Sequence, residues 1–260
     1  MKSGAHVICQ KPFTQNIEQT RSVTELTKTT DRLVVVHENF RFQPWYRKIK
    51  SLIQNGLVGQ IYQVQFRLRP GDGQGADAYL ARQPYFQKMP RFLIQETGIH
   101  FIDVFRYLLG EPHSLFADLY RLNPAIKGED AGIFSLEFDH RLRAIFDGNR
   151  LADHPANNRR LTLGEMHMEG EIGSLLLNGD GELLFRRHGE NESSQIEFEF
   201  HDNAFGGDCV YELQKHVLTC LKTGTTPENL VSDYLKNLII QEYIYQSSSQ
   251  GKRLELPRFT

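Results

Sequence analysis

Residues 92–110, FLIQETGIHFIDVFRYLLG, form the stretch around which the rest of the chain is predicted to fold. Their apolar residues recur at helical spacing, and Gly110 stands where a glycine commonly ends a helix. Glu96 and His100 are four residues apart and Asp103 follows three residues later, so these side chains can share one helix face. A carboxylate that orients an imidazole is a common device of acid–base catalysis. The alternative is an ordinary helix start with a hydrogen-bonded core histidine.

Length and composition exclude several classes of protein. The 260 residues are 40% hydrophobic and 24% charged, which suits one large or two modest globular domains. A formal net charge of −2 gives no general attraction to nucleic acid or to an anionic membrane. Three cysteines without CxxC spacing indicate neither a disulfide framework nor a zinc site, so a reducing cytoplasm is expected. No apolar run approaches the roughly 20 residues that a membrane-spanning helix needs.

The first 58 residues have the pattern of a parallel sheet. Residues 6–9 and 33–36 are predicted as strands, and Asn16 is the predicted N-cap of a helix between them. Strand, helix and strand within roughly 30 residues make one βαβ unit. Two strands and a helix cannot bury such a sheet alone, so either a partner completes it or the chain begins inside a domain. Asn39 and Arg41 follow the second strand, at the end where open α/β sheets bind ligands.

The remainder of the chain is predicted to be rich in strands and then helical. Predicted strands are residues 62–68, 115–122, 131–138, 141–147, 161–168, 174–177, 182–186 and 195–200, with a hairpin turn at 178–181. Predicted helices begin at Pro44, near Thr97, before Val210 and at Thr226.

Residues 70–90 make a polar segment after the strand at 62–68. Its start, PGDGQG, has the pattern GxGxG rather than the GxGxxG of a dinucleotide-binding turn, and no clear strand follows. Long loops in compact domains are usually functional or mobile. The segment is therefore predicted to be a loop or a substrate lid.

Four motifs, in this order, resemble the glucose-fructose oxidoreductase/inositol dehydrogenase (Gfo/Idh/MocA) family of NAD(P)-dependent sugar dehydrogenases. Residues 4–12 (GAHVICQKP) are similar to the family's GKHVxxEKP, residues 39–42 (NFRF) to NxRF, residues 96–103 (ETGIHFID) to DxGxHxxD, and residues 169–175 (EGEIGSL) to EGTxGSL. Two positions depart from the family: Gln10 replaces a glutamate, and Glu96 replaces an aspartate.

The resemblance implies an α/β plus α+β fold. Residues 1–58 would be the C-terminal remnant of an NAD(P)-binding Rossmann domain. Residues 59–260 would be the family's substrate and oligomerisation domain, an open, mainly antiparallel sheet with helices on one face. The family's glycine-rich fingerprint is expected before Met1, so the gene model would start at an internal methionine or the chain would be truncated. A homodimer or homotetramer formed through the sheet is also implied.

The resemblance implies an oxidoreductase that, in its complete form, transfers hydride between a sugar or polyol and NAD or NADP. Lys11 would polarise the substrate hydroxyl beside the nicotinamide, and Pro12 would hold that turn through a cis bond. His100 would be the general base, oriented by Glu96.

The same resemblance implies ligand-binding roles for three further residues, Asn39, Arg41 and Asp103. Asn39 and Arg41 would lie near the cofactor ring, and Arg41 and Asp103 would contact the substrate. Without the glycine-rich loop, binding of NAD(P) by this chain is expected to be impaired. The alternative hypothesis is a truncated, catalytically inactive member that acts as a sugar-binding or dimerisation module.

Overall fold

A computed structural model describes residues 4–259, so residues 1–3 and 260, at the ends of the two predicted domains, lie outside the described residues. The first unit is the predicted βαβ unit. Strand β1 (Val7–Gln10) pairs in parallel with β2 (Val34–His37), and helix α1 (Ile17–Thr27) connects them. The side chain of Asn16 accepts a hydrogen bond from the backbone N–H of Gln19, which confirms the predicted N-cap.

The second unit is an open sheet, which the described residues form from nine strands. In chain order these are β3 (Ile61–Leu68), β4 (Ser114–Tyr120), β5 (Ala131–Glu137), β6 (Arg143–Asn149), β7 (Gly164–Gly170), β8 (Gly173–Leu177), β9 (Leu183–Arg187), β10 (Ser194–Ile196) and β11 (Leu254–Glu255). Their order across the sheet is β10-β9-β8-β7-β3-β6-β5-β4-β11. Every neighbouring pair is antiparallel except β3 with β6. The predicted mainly antiparallel sheet is confirmed.

Longer helices cover one face of this sheet. They are α2 (Pro44–Gln54), α3 (Ile99–Leu109) and α5 (Val231–Gln250). Helix α4 (Phe205–Thr223) packs instead against Val35 and Phe42 of the first unit. Shorter helical turns span Phe40–Phe42, Pro84–Lys88, Leu93–Gly98 and Asp139–Arg141. The rings of Phe66 on β3 and Phe101 on α3 stack with centroids 3.8 Å apart. On the opposite face Tyr62, Phe116 and Ile133 are exposed. None of the helices among residues 4–259 is long and apolar enough to cross a membrane.

Residues 92–110 begin with a wider helical turn than an α-helix has. Leu93–Gly98 form a π-helical turn, and α3 follows directly. Such turns occur frequently at functional sites. The apolar stripe predicted for this helix is buried, and Gly110 ends the helix with φ of 95°.

Two predicted boundaries are wrong for identifiable reasons. Helix α5 begins at Val231 rather than Thr226, because Leu230 bridges to Val35 and the backbone N–H of Val36 donates to the carbonyl of Asn229 at 2.9 Å. The chain is thus extended beside β2 just before the helix. Strand β10 stops before the predicted residue 200, and Phe200 instead packs edge-on against Trp45.

Candidate active site

A cavity of about 730 Å³ lies where the two units meet. It is at the carboxyl ends of β1 and β2, where open α/β sheets bind ligands. Its lining comes from the end of β1, the segment after β2, residues 70–86, the chain at the start of α3, the chain after β6 and the start of α4. Lys11 and His100 both line it, which is the arrangement expected from the sequence.

The ammonium group of Lys11 is fixed at the wall of this cavity. Its Nζ donates to the backbone carbonyl of Glu96 at 2.6 Å and to Oε2 of the Glu96 carboxylate at 3.1 Å. The two side chains are only 12% and 23% exposed. Since an ammonium has three N–H donors, one remains for a ligand in the cavity. The peptide bond between Lys11 and Pro12 is cis, as the resemblance implies.

The imidazole of His100 is held by a carboxylate behind the cavity. Its Nδ1 lies 2.5 Å from Oε1 of Glu38. An ionised carboxylate can only accept, so Nδ1 carries the proton and donates it to this hydrogen bond. In the neutral ring Nε2 is then the basic nitrogen, and within residues 4–259 it has no hydrogen-bond partner. The ring of Phe40 stacks on the imidazole, with centroids 3.9 Å apart and planes 7° apart.

Glu38 is ionised although it has no exposed surface. Burial by itself raises the pKa of this carboxyl group. The charge that His100 carries when it is protonated, the hydrogen bond from its ring and the charge of Lys11 outweigh burial, and the pKa of Glu38 is lowered. The backbone N–H of Phe40 also donates to Oε1. Within the described residues Oε2 has no partner. A buried anion is therefore available to stabilise a protonated His100.

The structure corrects the role expected for Glu96. The sequence predicts that Glu96 orients His100, but the Glu96 carboxylate is paired with Lys11 and Glu38 holds the imidazole. The physical reason is charge: the ammonium of Lys11 lies 3.1 Å from Oε2 of Glu96 and attracts this carboxylate. Glu96 still lines the cavity, where it positions the ammonium of Lys11.

Arg41 and Asp103 also differ from expectation. Arg41 donates from Nε and Nη2 to the two carboxylate oxygens of Asp103, at 2.7 and 2.6 Å. Asn237 donates to the same carboxylate at 2.8 Å. Both members of the ion pair are buried, and neither lines the cavity. The pair joins the segment after β2 to α3, so its hydrogen-bonding capacity is taken up inside the protein.

Asn39 and Pro12 lie on different sides of the site. Asn39 lines the cavity, and its amide donates to Sγ of Cys209 at 3.2 Å. Burial raises the pKa of the Cys209 thiol to about 12, so the thiol stays protonated. Pro12 lines a separate cavity of about 90 Å³ beside the start of α1.

Several residues at or behind the cavity are not singled out by the sequence, among them Glu38, Asp72, Tyr79 and Arg150. Glu38 is the first residue after β2, so a carboxylate at the ligand-binding end of a strand is the signal that the sequence offers. Asp72 and Tyr79 belong to the predicted lid segment. No local pattern marks Arg150.

Comparisons with known proteins show which proteins this chain is similar to. The family model described as the GFO/IDH/MocA C-terminal domain matches residues 46–176. D-apiose dehydrogenase of Paraburkholderia graminis is 28% identical over 262 residues, covering 98% of this chain and 68% of the relative. D-apiose dehydrogenase of Rhizobium rhizogenes is 26% identical over 264 residues, covering 96% and 72%.

A solved structure gives the same result for the fold. An oxidoreductase from Agrobacterium radiobacter, crystallised with NAD+, L-tartaric acid and magnesium, superposes with a TM-score of 0.83 at 25% identity. The superposition covers 96% of this chain and 72% of that one.

Proposed function

Because this chain belongs to the GFO/IDH/MocA family of oxidoreductases, we propose that it is an NAD(P)-dependent dehydrogenase that oxidises a CH–OH group of a sugar or polyol. One observation carries the proposal: Lys11 and His100 line the same cavity, and His100 presents its basic Nε2 there. The inactive-module alternative is not favoured, since the similar proteins are dehydrogenases.

The residues around the cavity fit the nicotinamide end of the cofactor. The cavity opens at the carboxyl ends of β1 and β2, and at about 730 Å³ it has room for a ring together with a small sugar. Lys11 and Asn39 would hold the ring side of the site. The chemistry that the nicotinamide supplies when bound is acceptance of a hydride from the carbinol carbon.

The protein's own residues handle the proton. Nε2 of His100 accepts the hydroxyl proton as the carbon loses hydride, which leaves a carbonyl product. Glu38 stabilises the imidazolium that forms, because its negative charge lies against Nδ1. Lys11 donates its remaining N–H to the reacting oxygen and so stabilises the negative charge that develops there.

Charge pairing at Lys11 and at Arg150 favours a substrate that is neutral near these two residues. The Lys11 cation is neutralised by Glu96, and the Arg150 cation is neutralised by Asp72. Paired cations still donate hydrogen bonds but attract a further anion weakly. Hydroxyl oxygens of an uncharged sugar suit such donors. The names of the relatives, which include D-apiose dehydrogenase and myo-inositol 2-dehydrogenase, agree with this substrate class.

We extend the proposal to domains and assembly. Residues 1–58 supply the cofactor side of the site, as part of an NAD(P)-binding domain, and residues 59–260 supply the substrate side. The exposed apolar residues on the uncovered sheet face, Tyr62, Phe116 and Ile133, support pairing of two copies through that face as a homodimer or homotetramer.

Turnover by the purified protein tests the proposal. The protein is incubated with a panel of neutral sugars, polyols and their acid forms, and with NAD+ or NADP+ at millimolar concentration, so that the weak cofactor binding expected from the sequence does not hide turnover. The expected result is formation of reduced nicotinamide with a neutral member of the panel. Folded protein that reduces neither cofactor with any panel member contradicts the proposed function.

A further inference from the structure

We propose that Arg150 is a positioning residue that fixes residues 70–88 over the cavity and thereby sets how tightly the substrate is held. The inference rests on the proposed function, because it assigns a part of the same cavity. It concerns binding of the substrate's far end rather than the proton transfer at His100.

Arg150 reaches the segment and the start of α3 at once. Its Nε donates to the Tyr79 hydroxyl at 2.8 Å and to Oδ1 of Asp72 at 3.2 Å, and Nη2 donates to Oδ2 of Asp72 at 2.7 Å. In the other direction Nη1 donates to the hydroxyl of Thr97 at 2.8 Å. Thr97 lies next to Glu96 in the π-helical turn. One buried guanidinium thus connects the segment to the turn that positions Lys11.

The guanidinium sits in an aromatic enclosure. Its central carbon lies 4.7 Å from the ring centroid of Phe92, 5.2 Å from Tyr79 and 5.5 Å from Phe86. Arg150 is only 5% exposed, so its contacts with Asp72 and Thr97 are screened little by water. The planar guanidinium of Arg150 donates several hydrogen bonds in fixed directions, and the ammonium of a lysine cannot reproduce this arrangement.

The backbone of the segment is strained at the residue that Arg150 contacts. Tyr79 has φ of 69°, a left-handed conformation that a bulky side chain rarely adopts. Strain of this kind persists only where the surroundings impose it, and it is concentrated at ligand clamps. Gly73 lies so close that an added Cβ would meet the Tyr79 hydroxyl at 2.9 Å. The conformation of the segment is therefore imposed by its packing around Arg150.

The segment presents polar side chains to the cavity. Asp77, Arg82 and Gln83 line it, and within residues 4–259 neither Asp77 nor Arg82 forms an ion pair. Asp77 lies between Asp72 and Tyr79 in the chain, and Arg82 and Gln83 come soon after Tyr79. Releasing the anchor removes these groups from the substrate while leaving Lys11 and His100 in place.

Hydrogen–deuterium exchange of the complete chain without ligand gives the first readout. Asp72→Asn and Tyr79→Phe each remove one contact of Arg150 and add no bulk, so they keep the test valid if Arg150→Lys does not fold. Exchange in residues 70–88 is expected to accelerate by about tenfold or more, with α3 unchanged. Asp147→Asn is the matched control, because Asp147 is the partner of Arg69 at 2.6 Å and does not line the cavity.

Steady-state kinetics give the second readout. In Asp72→Asn and Tyr79→Phe, KM for the preferred sugar is expected to rise by about tenfold while kcat and its pH profile stay near those of the parent. Unchanged exchange in residues 70–88, or faster exchange throughout α3 as well, would overturn the inference, and so would an unchanged KM. If the parent protein reduces no cofactor, the proposed function fails while the exchange result still decides the anchoring role.

Discussion

The Nδ1 atom of His100 lies 2.5 Å from Oε1 of Glu38, a carboxylate with no exposed surface. The two residues are 62 positions apart and meet where the end of β2 faces the start of α3. Their hydrogen bond determines which ring nitrogen carries the proton and leaves Nε2 for the cavity. The catalytic account depends on this contact.

Replacing Glu38 by glutamine is expected to slow turnover and to change its pH dependence. Glutamine can still accept from Nδ1, but it lacks the charge that favours the protonated imidazole. The acid limb of the kcat/KM profile should therefore move to lower pH, because the neutral base persists there. Turnover should fall roughly tenfold, a part of what a general base contributes. Glu96→Gln serves as the comparison. If the acid limb of the kcat/KM profile moved as far or farther in Glu96→Gln, then Glu96 rather than Glu38 would be the carboxylate that supports His100.

Replacing Lys11 by alanine is expected to reduce kcat by roughly 100-fold. A loss of this size is typical when an enzyme loses one hydrogen-bond donor to a developing oxyanion. The matched control is Lys28→Ala, since Lys28 also pairs with a glutamate, Glu25, but lies exposed on the surface. Circular dichroism should confirm that both variants fold. Equal kcat values for the two variants would contradict a catalytic role for Lys11.

Asp103→Asn is expected to lower stability and leave substrate binding unchanged. It removes the charged bidentate partner of the buried Arg41 cation, which keeps longer contacts with Glu228 and Asp233 at 3.5 and 3.4 Å. Breaking a buried pair costs about 3–5 kcal/mol in the free energy of unfolding, and these remaining contacts place the expected loss at the lower end of that range. Glu137→Gln breaks a pair with Arg253, which is 52% exposed, and should cost at most about 1 kcal/mol. Urea unfolding measures both values. An Asp103→Asn protein with parental stability and a raised KM would instead indicate a role in substrate binding.

Stability is expected to decrease in acid because of the ionic cluster around Arg106 and Arg47. Burial raises the pKa of Glu111, Glu228 and Asp233, but hydrogen bonds and charges from the arginines outweigh it, so each pKa is lowered. A lowered folded-state pKa stabilises the protein above the unfolded value, roughly pH 4, and the contribution is lost as pH falls through the folded value.

Asp233→Asn measures that contribution. The variant should melt at a lower temperature than the parent near pH 7, and the difference should shrink as the pH falls below about 4. Thermal unfolding followed by circular dichroism across this range is sufficient. A difference in Tm that stays constant with pH would assign the loss to packing rather than to charge.

Local patterns predicted most of the secondary structure. The N-cap at Asn16, the buried stripe of α3 and the turn before β9 each depend on residues a few positions apart, and spacing of this kind is visible in a sequence. The start of α5 was not predictable in this way, because the bridge between Leu230 and Val35 that delays it joins distant parts of the chain.

The partners of the site residues could not be predicted from spacing. Glu38 pairs with His100 and Arg41 pairs with Asp103, and both pairs are separated by 62 positions. The segment after β2 runs beside α3 in a register that periodicity within one helix does not reveal. Spacing along the sequence reveals only partners within the same helix, so it suggests Glu96 as the carboxylate that orients His100 and does not reveal Glu38.

Turnover of His100→Asn tests the central claim most directly. Asparagine removes the basic nitrogen, so kcat on the preferred sugar or polyol is expected to fall roughly 100-fold or more. KM should change little, and His167→Asn, on the exposed face of the sheet, should keep parental kinetics. A folded His100→Asn protein with near-parental kcat would contradict the assignment of His100 as the general base.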